Sequence, residues 1–343
     1  MRIAVVHGFG APGGEDEAVL DQVAALTRAG HELRLVSVNG RGRGPLEALR
    51  AFAPDVVHVH NLFPAFGRAW ITEWTGPVVA TLRHGRQRGS RFAALQFAWA
   101  ARGGLRQDPL LRRADRLVVL SEASRDAYAR AGLPRERLEV VPDFVPTVEA
   151  AEVDAGADVD PEVEVADGGA WVCVGRLAPE KGVLELVRRW PEGERLDVIG
   201  AGPLEGRCRA AAPASVRLRG AVGRGVLRRA LPGYRGIVLP GRGPRRAVPL
   251  VYAEALAAGL PVLAFEGVEG AGSSALPRAV RSEGTGTVTT LDAHLPDALD
   301  VAAKIFPTLR EHCRAVYAKR YGEAVWTERT EHVYAGLGPS ATE

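Results

Sequence analysis

The stretch "VCVGRLAPEKGV", residues 172–183, sets two cations where they can do chemistry. An apolar strand pattern leads to Arg176, a loop passes through Pro179, and Lys181 stands just before a helical pattern that starts near Gly182. Two cations at a helix start make a site for an anion, because the helix dipole and the unbonded N–H groups of the first turn add to their charge. A diphosphate is the natural occupant. Only three of the 44 basic residues are lysines, Lys181, Lys304 and Lys319. Lysine brings a compact point charge where arginine brings a planar fork. Two solvated surface cations are the ordinary reading of such a spacing, and the strand-loop-helix setting argues against it.

A second stretch, "RRAVPLVYAEALAAGLPV" at residues 245–262, runs from a polar loop into a helix with one carboxylate, Glu254, and places Arg246 in the loop before it. His58 and His60 in "HVHN" alternate along a strand pattern and share a face. That is the geometry of a metal pair, but a third ligand is missing nearby and no metal is expected. His60 and Asn61 at the strand end fit better as polar contacts to a bound acceptor. The "DVD" of residues 158–160 lies in an acidic run and reads as solvated charge.

Residues 83–113 hold eight arginines against one acid, Asp108, around the apolar "FAALQFAWAA". Three readings stay open. The segment is a solvated face, or Arg83, Arg86, Arg88 and Arg91 hold a phosphate or carboxylate of an acceptor, or the segment docks on anionic lipid with its apolar stretch buried.

The elements that position these residues follow from the hydropathy pattern. The chain has 343 residues, which suits two domains of roughly 150 to 170 residues. "RIAVVH", the glycine-rich "GFGAPGG" and "DEAVLDQVAALTRAG" read as strand, loop and helix. "HELRLVSV", "PDVVHVHN", "GPVVATL" and "ADRLVVLS" are further short apolar runs of the kind buried parallel strands require. The first half is therefore a doubly wound α/β domain with its ligand crevice beyond the carboxyl ends of the strands. Residues 146–169 are acidic and aperiodic, a linker. Then "AWVCVGRL", "RLDVIGAG", "VRLRG", "GIVLPG" and "LPVLAF" build a second sheet, and "HCRAVYAKRYGEAVWTERTEHVYAGL" is a terminal helical pattern able to cross back onto the first domain.

Composition narrows the function classes. A net charge of +3 argues against a dedicated nucleic-acid binder. The absence of a run of roughly 20 apolar residues and the short apolar stretch at the N-terminus argue for a cytoplasmic protein. The three cysteines, Cys173, Cys208 and Cys313, are far apart and odd in number, so free buried or part-buried thiols are expected rather than disulfides.

In order and spacing, "GRLAPEKG", "VIGAGPLEGRCRA", "VRLRGAV" and "PLVYAEALAAGLPVLAF" resemble the C-terminal domain of bacterial family-4 retaining glycosyltransferases of the GT-B fold, and "GGEDEAVLDQVAALTRAGHELRLV" with "HVHNLFP" resembles their N-terminal domain. The resemblance implies two Rossmann-like domains facing across a cleft: 1–145 for the acceptor, 146–169 as linker, 170–310 for a nucleotide-sugar donor, and 311–343 packing back on the first domain. It implies that Arg176 and Lys181 neutralise the donor diphosphate as it leaves, that Glu254 bonds the donor ribose, and that backbone N–H groups at Leu250 and Val251 meet the distal phosphate. Val222 would line the base pocket, and Gly13 and Gly14 would let the first domain's backbone approach the donor. Two positions depart from the family. A glutamate that contacts the transferred sugar is replaced by Arg246, which cannot accept its hydrogen bonds. The family's active-site histidine directly follows a Thr-Leu pair, whereas here Thr81-Leu82 is followed by Arg83 and then His84, leaving either His84 or Arg83 in that place.

The function implied is metal-independent and cofactor-independent transfer of a sugar, with retention, from a nucleoside-diphosphate sugar, UDP-sugar favoured, to a small-molecule or lipid-linked acceptor. Bacterial natural-product (antibiotic) or cell-envelope biosynthesis is the setting. Contact with the inner membrane face through residues 83–113 is an added reading. The alternatives are a catalytically silent GT-B nucleotide-binding or partner protein, favoured by Arg246 and opposed by the Arg176–Lys181 pair, and a GT-B enzyme of altered reaction such as a nucleotide-sugar epimerase or hydrolase.

Overall fold

The computed structural model describes residues 1–8, 14–38, 44–60, 69–83, 108–146, 169–241, 248–266, 274–290 and 292–337. Of the residues singled out above, Gly13, Asn61, His84, Arg86 and Arg246 lie outside this set, as do the "DVD" run, the stretch 84–107 and residues 147–168 of the expected linker.

The chain divides into two compact units, Met1–Asp143 with Glu323–Glu343, and Phe144–Gly322. Each is built on a six-stranded, wholly parallel sheet. In the first unit the strands are β1 (Arg2–His7), β2 (Glu32–Ser37), β3 (Val56–His60), β4 (Val78–Thr81), β5 (Arg116–Val119) and β6 (Leu138–Val140), ordered β2-β1-β3-β4-β5-β6. In the second they are β7 (Trp171–Val174), β8 (Leu196–Ile199), β9 (Val216–Gly220), β10 (Gly236–Leu239), β11 (Val262–Glu266) and β12 (Gly286–Thr290), ordered β12-β11-β10-β7-β8-β9. A parallel pair needs a crossover between its strands, so helices cover both faces and central strands bury both faces. The alternation is visible residue by residue. Val172, Ile237, Leu239, Val262 and Ala264 enter one core of the second unit, while their neighbours Trp171, Cys173, Val238, Leu263 and Phe265 enter the other.

The terminal pattern at residues 312–337 is two helices rather than one. Leu295–Arg320 belongs to the second unit and Glu323–Ala335 to the first, with the break at Tyr321-Gly322. The boundary expected at residue 310 therefore falls inside a continuous helix. The helix Glu323–Ala335 buries Trp326, Val333 and Tyr334, and Tyr334 Oη lies 2.7 Å from His58 Nδ1. All three cysteines are free and buried. Burial pushes the thiols of Cys173 and Cys313 up to about 12, so they act as small apolar fillers rather than nucleophiles. No helix among the described residues is long and apolar enough to cross a membrane.

Candidate functional site

In the second sheet the strand order reverses between β7 and β10. Ligands of open α/β sheets bind outside the carboxyl ends of the strands at such a switch point. The residues there are Gly175, Arg176 and Lys181 after β7, and Gly241 after β10. The loop from Gly175 to Lys181 is laid directly against the loop that follows β8. Gly175 N donates to Ile199 O (3.0 Å), Leu177 N to Ala201 O (3.0 Å) and Leu204 N to Leu177 O (2.9 Å). Two glycines make the approach possible. Gly200 has φ +140°, and a Cβ there would stand 2.1 Å from Gly175 O, while one on Gly202 would stand 2.5 Å from Leu177 O. "VIGAG" is thus the mould on which the cationic loop is cast.

After Leu177 and Ala178, both buried, a single 3-10 turn (Pro179–Lys181) ends at Gly182, whose φ of 73° is left-handed, and the helix Val183–Arg189 follows. Lys181 lines a cleft together with Gly175, Gly241, Pro249 and Val251. Arg176 is exposed and has no ion-pair partner among the described residues. Across this cleft Pro249 caps the helix Leu250–Ala257. Its first N–H groups, those of Leu250 and Val251, have no intrahelical acceptor, whereas Tyr252 N already bonds Pro249 O at 2.9 Å.

Glu254, one turn into that helix, is 7% exposed. A buried carboxylate needs cationic or hydrogen-bonding company. Arg224 Nε lies 3.5 Å and Arg228 Nε 3.9 Å from its Oε1. Both arginines come from the helix Arg224–Ala230, and sequence reasoning missed them. Their i, i+4 spacing in "RGVLRRA", one face of a short helix, was the available signal. Val222, just before this helix, is partly buried against the same core as Tyr252 and Leu256. Arg176, Lys181, Leu250 and Val251 thus gather about the switch point, and Glu254 follows on the same helix as the last two.

The first sheet reverses order between β1 and β3, and there His7 pairs in register with His60. His7, His58 and His60 are all buried. His7 Nε2 lies 2.8 Å from Asp16 Oδ1 on the helix Gly14–Arg28, which Gly14 opens. His58 and His60 stack with ring centroids 4.1 Å apart, as their shared strand face requires. His58 Nε2 is 2.7 Å from Thr81 Oγ1 and its Nδ1 is 2.7 Å from Tyr334 Oη, so both nitrogens are engaged and neither is held for a metal. Burial, with the nearby Arg83 charge, lowers His58 to about 3. Burial lowers His60 well below the usual imidazole range, helped by His58, Arg83 and His7. Both are neutral at physiological pH.

Arg83 does not stand free beyond β4. It is 3% exposed and forms a bidentate pair with Asp143, Nη1 to Oδ2 at 2.7 Å and Nη2 to Oδ1. Gln22 Nε2 donates to the same carboxylate at 2.9 Å. The structure therefore gives the Arg83 guanidinium a protein partner where an acceptor anion was expected. His60, expected to touch an acceptor, is 2% exposed, and its Nδ1 has no hydrogen-bond partner.

Comparison with known proteins agrees with this layout. A model described as Glycosyltransferase Family 4 matches residues 46–149, and one described as Glycosyl transferases group 1 matches residues 169–311. A GDP-mannose-dependent alpha-(1-6)-phosphatidylinositol monomannoside mannosyltransferase of Mycolicibacterium smegmatis is 32% identical over 200 residues, 52% of this chain and 51% of that protein. The match spans about half the length of that curated relative. Among solved structures, Anabaena Alr3699/HepE in complex with UDP superposes with a TM-score of 0.69 at 15% identity, covering 98% of this chain and 100% of that one. AviGT4, a glycosyltransferase involved in avilamycin A biosynthesis, gives 0.63 at 20% identity, covering 98% and 97%. These structural likenesses establish the fold. With a family model matched in each half, the ordered motifs around Arg176, Lys181 and Glu254, and two parallel sheets of this topology, the chain belongs to the family-4 glycosyltransferases of the GT-B fold.

Proposed function

We propose that the protein transfers a sugar, with retention and without a metal ion, from a nucleoside-diphosphate sugar to a small-molecule or lipid-linked acceptor. The observation that carries this reading is the cleft at the β7/β10 switch point, where Lys181 faces the helix start at Pro249 and Val251 and Arg176 stands exposed on the same loop. When the bond from the anomeric carbon to the diphosphate breaks, its electron pair passes to the phosphate oxygen. Arg176 and Lys181 stabilise the charge that develops there, a contribution that is larger in the transition state than in the ground state. The N–H groups of Leu250 and Val251 add fixed donors to the distal phosphate. Glu254, beside Arg224 and Arg228, accepts hydrogen bonds from the ribose hydroxyls.

UDP is the nucleotide favoured, in keeping with the UDP complex of Alr3699/HepE, while the mycobacterial relative is named for GDP-mannose. The test is a panel of UDP- and GDP-sugars with and without glycosides, polyketide alcohols and phosphoinositides as acceptors, read as nucleoside diphosphate released and product anomer by NMR. Acceptor-dependent release with an axial anomer retained is expected. Tight donor binding with no release under any acceptor would point to a silent nucleotide-binding protein, and release without acceptor to a hydrolase.

A further inference from the structure

At the amino-terminal ends of β4 and β5, the far end of the first sheet from Thr81 and His60, lies an open cavity of about 800 Å³. Among the described residues four arginines line it, Arg112, Arg113, Arg116 and Arg137, with Trp74 beside them and Asp115 as the one carboxylate. The carboxylate is already engaged, its Oδ2 accepting from Val78 N at 2.8 Å and from Arg113 Nη1 at 3.3 Å. The other bonds of these arginines go to backbone carbonyls. Arg113 reaches Trp74 O at 3.0 Å and also Gly76 O. Arg116 reaches Asp115 O at 3.2 Å and Gly336 O at 3.3 Å. Arg137 reaches Leu111 O at 2.8 Å and also Ala114 O. Carbonyls orient a guanidinium but cancel none of its charge. Arg112 is exposed and has no ion-pair partner among the described residues. Trp74 Nε1 is buried and without an acceptor.

A cavity with this excess of fixed, pre-oriented guanidinium groups attracts an anion whose oxygens match their forks, and phosphate does so bidentately. Its volume is that of sites for small molecules. We propose that it is a second ligand site of the first unit, binding a phosphate-bearing group, from a free phosphorylated molecule or from a phospholipid head. The proposal is independent of the donor chemistry at the other unit.

The probes are inorganic pyrophosphate, titrated calorimetrically into the full chain, and vesicles of phosphatidylglycerol in phosphatidylcholine, read by co-sedimentation. Arg112→Glu reverses one exposed charge that has no ion-pair partner among the described residues, so an unchanged melting temperature will certify the fold. Because pyrophosphate also suits the Arg176–Lys181 cleft, sensitivity to Arg112 is the deciding readout. The expected result is at least about a tenfold loss of affinity in Arg112→Glu, with nucleoside diphosphate affinity unaltered. Arg112-sensitive pyrophosphate binding assigns a free anion. Arg112-sensitive vesicle binding that pyrophosphate reverses assigns a lipid head. Binding in both arms that ignores Arg112, or no binding in either, overturns the proposal.

Discussion

The stacked, neutral histidines of β3 make the stability of the first unit depend on pH above the range where carboxylates titrate. His58 moves from an ordinary 6.5 in the unfolded chain to about 3 in the fold, and His60 moves in the same direction. A depressed histidine pKa means that the unfolded state binds more protons, so stability rises with pH. The full stability is present above about pH 7.5, starts to fall near 6.5 and continues to fall toward 3, where His58 itself protonates in the folded state. At pH 5 the unfolded imidazole is almost fully protonated and the buried His58 still neutral, so His58 costs about 2 kcal/mol, and His60 adds to this in the same direction. Against a total of about 5–15 kcal/mol for a typical domain, that is a large share. The assay is urea unfolding at pH 8.0, 6.5, 5.5 and 5.0 for the wild type and His60→Asn, since the buried Nδ1 of His60 has no hydrogen-bond partner to lose among the described residues. The variant removes one titrating group and is expected to show a smaller pH 8 to pH 5 difference than the wild type. Identical pH dependence in the two proteins, or imidazole ring nitrogens of His58 and His60 that protonate in the folded protein near pH 6, would refute the reasoning.

Three further outcomes follow from the geometry. Lys181→Ala is expected to lower turnover about 10²- to 10³-fold while changing nucleoside diphosphate affinity far less, measured as kcat against a calorimetric Kd. Asp143→Asn takes the counter-charge from Arg83, which is 3% exposed, and should destabilise the first unit by about 3 kcal/mol, read from urea midpoints; a loss below 1 kcal/mol would mean that the pair is not buried as described. Glu254→Gln keeps the shape beside Arg224 and Arg228 but weakens the acceptor for ribose hydroxyls, so nucleotide affinity should fall about tenfold with the 2′,3′-dideoxynucleotide unaffected.

How much of this was legible before folding depends on how far each feature reaches along the chain. Nine of the ten strands that read as apolar runs, such as "RIAVVH" and "GIVLPG", sit where the parallel sheets bury or partly bury them, whereas β2 is exposed along most of its length. The two that sequence reasoning passed over, "LEV" of β6 and "GTVTT" of β12, are edge strands at the ends of their sheets, only part-buried for most of their length. Edge position alone does not decide this, since β2 and β9 are edge strands too; β6 is only three residues long and β12 carries a single apolar residue, Val288, so neither gives a run of apolar residues to read.

The same rule separates the site residues. Arg176 and Lys181 share one strand-loop-helix segment, so their spacing carried meaning by itself. Asp143 meets Arg83 across 60 residues of sequence and Arg224 meets Glu254 across 30; the i, i+4 arginines of "RGVLRRA" announce a cationic face, but no local pattern names the partner in either pair. Those partners also change what the sequence-predicted residues do. Arg224 and Arg228 give the Glu254 carboxylate the cationic company that its burial calls for. An arginine already bonded to both oxygens of Asp143 has its fork engaged, so its remaining influence is electrostatic, on the histidines behind it. The chemistry that was readable lay in single segments. The tuning of that chemistry lies in contacts that only the folded sheets bring about.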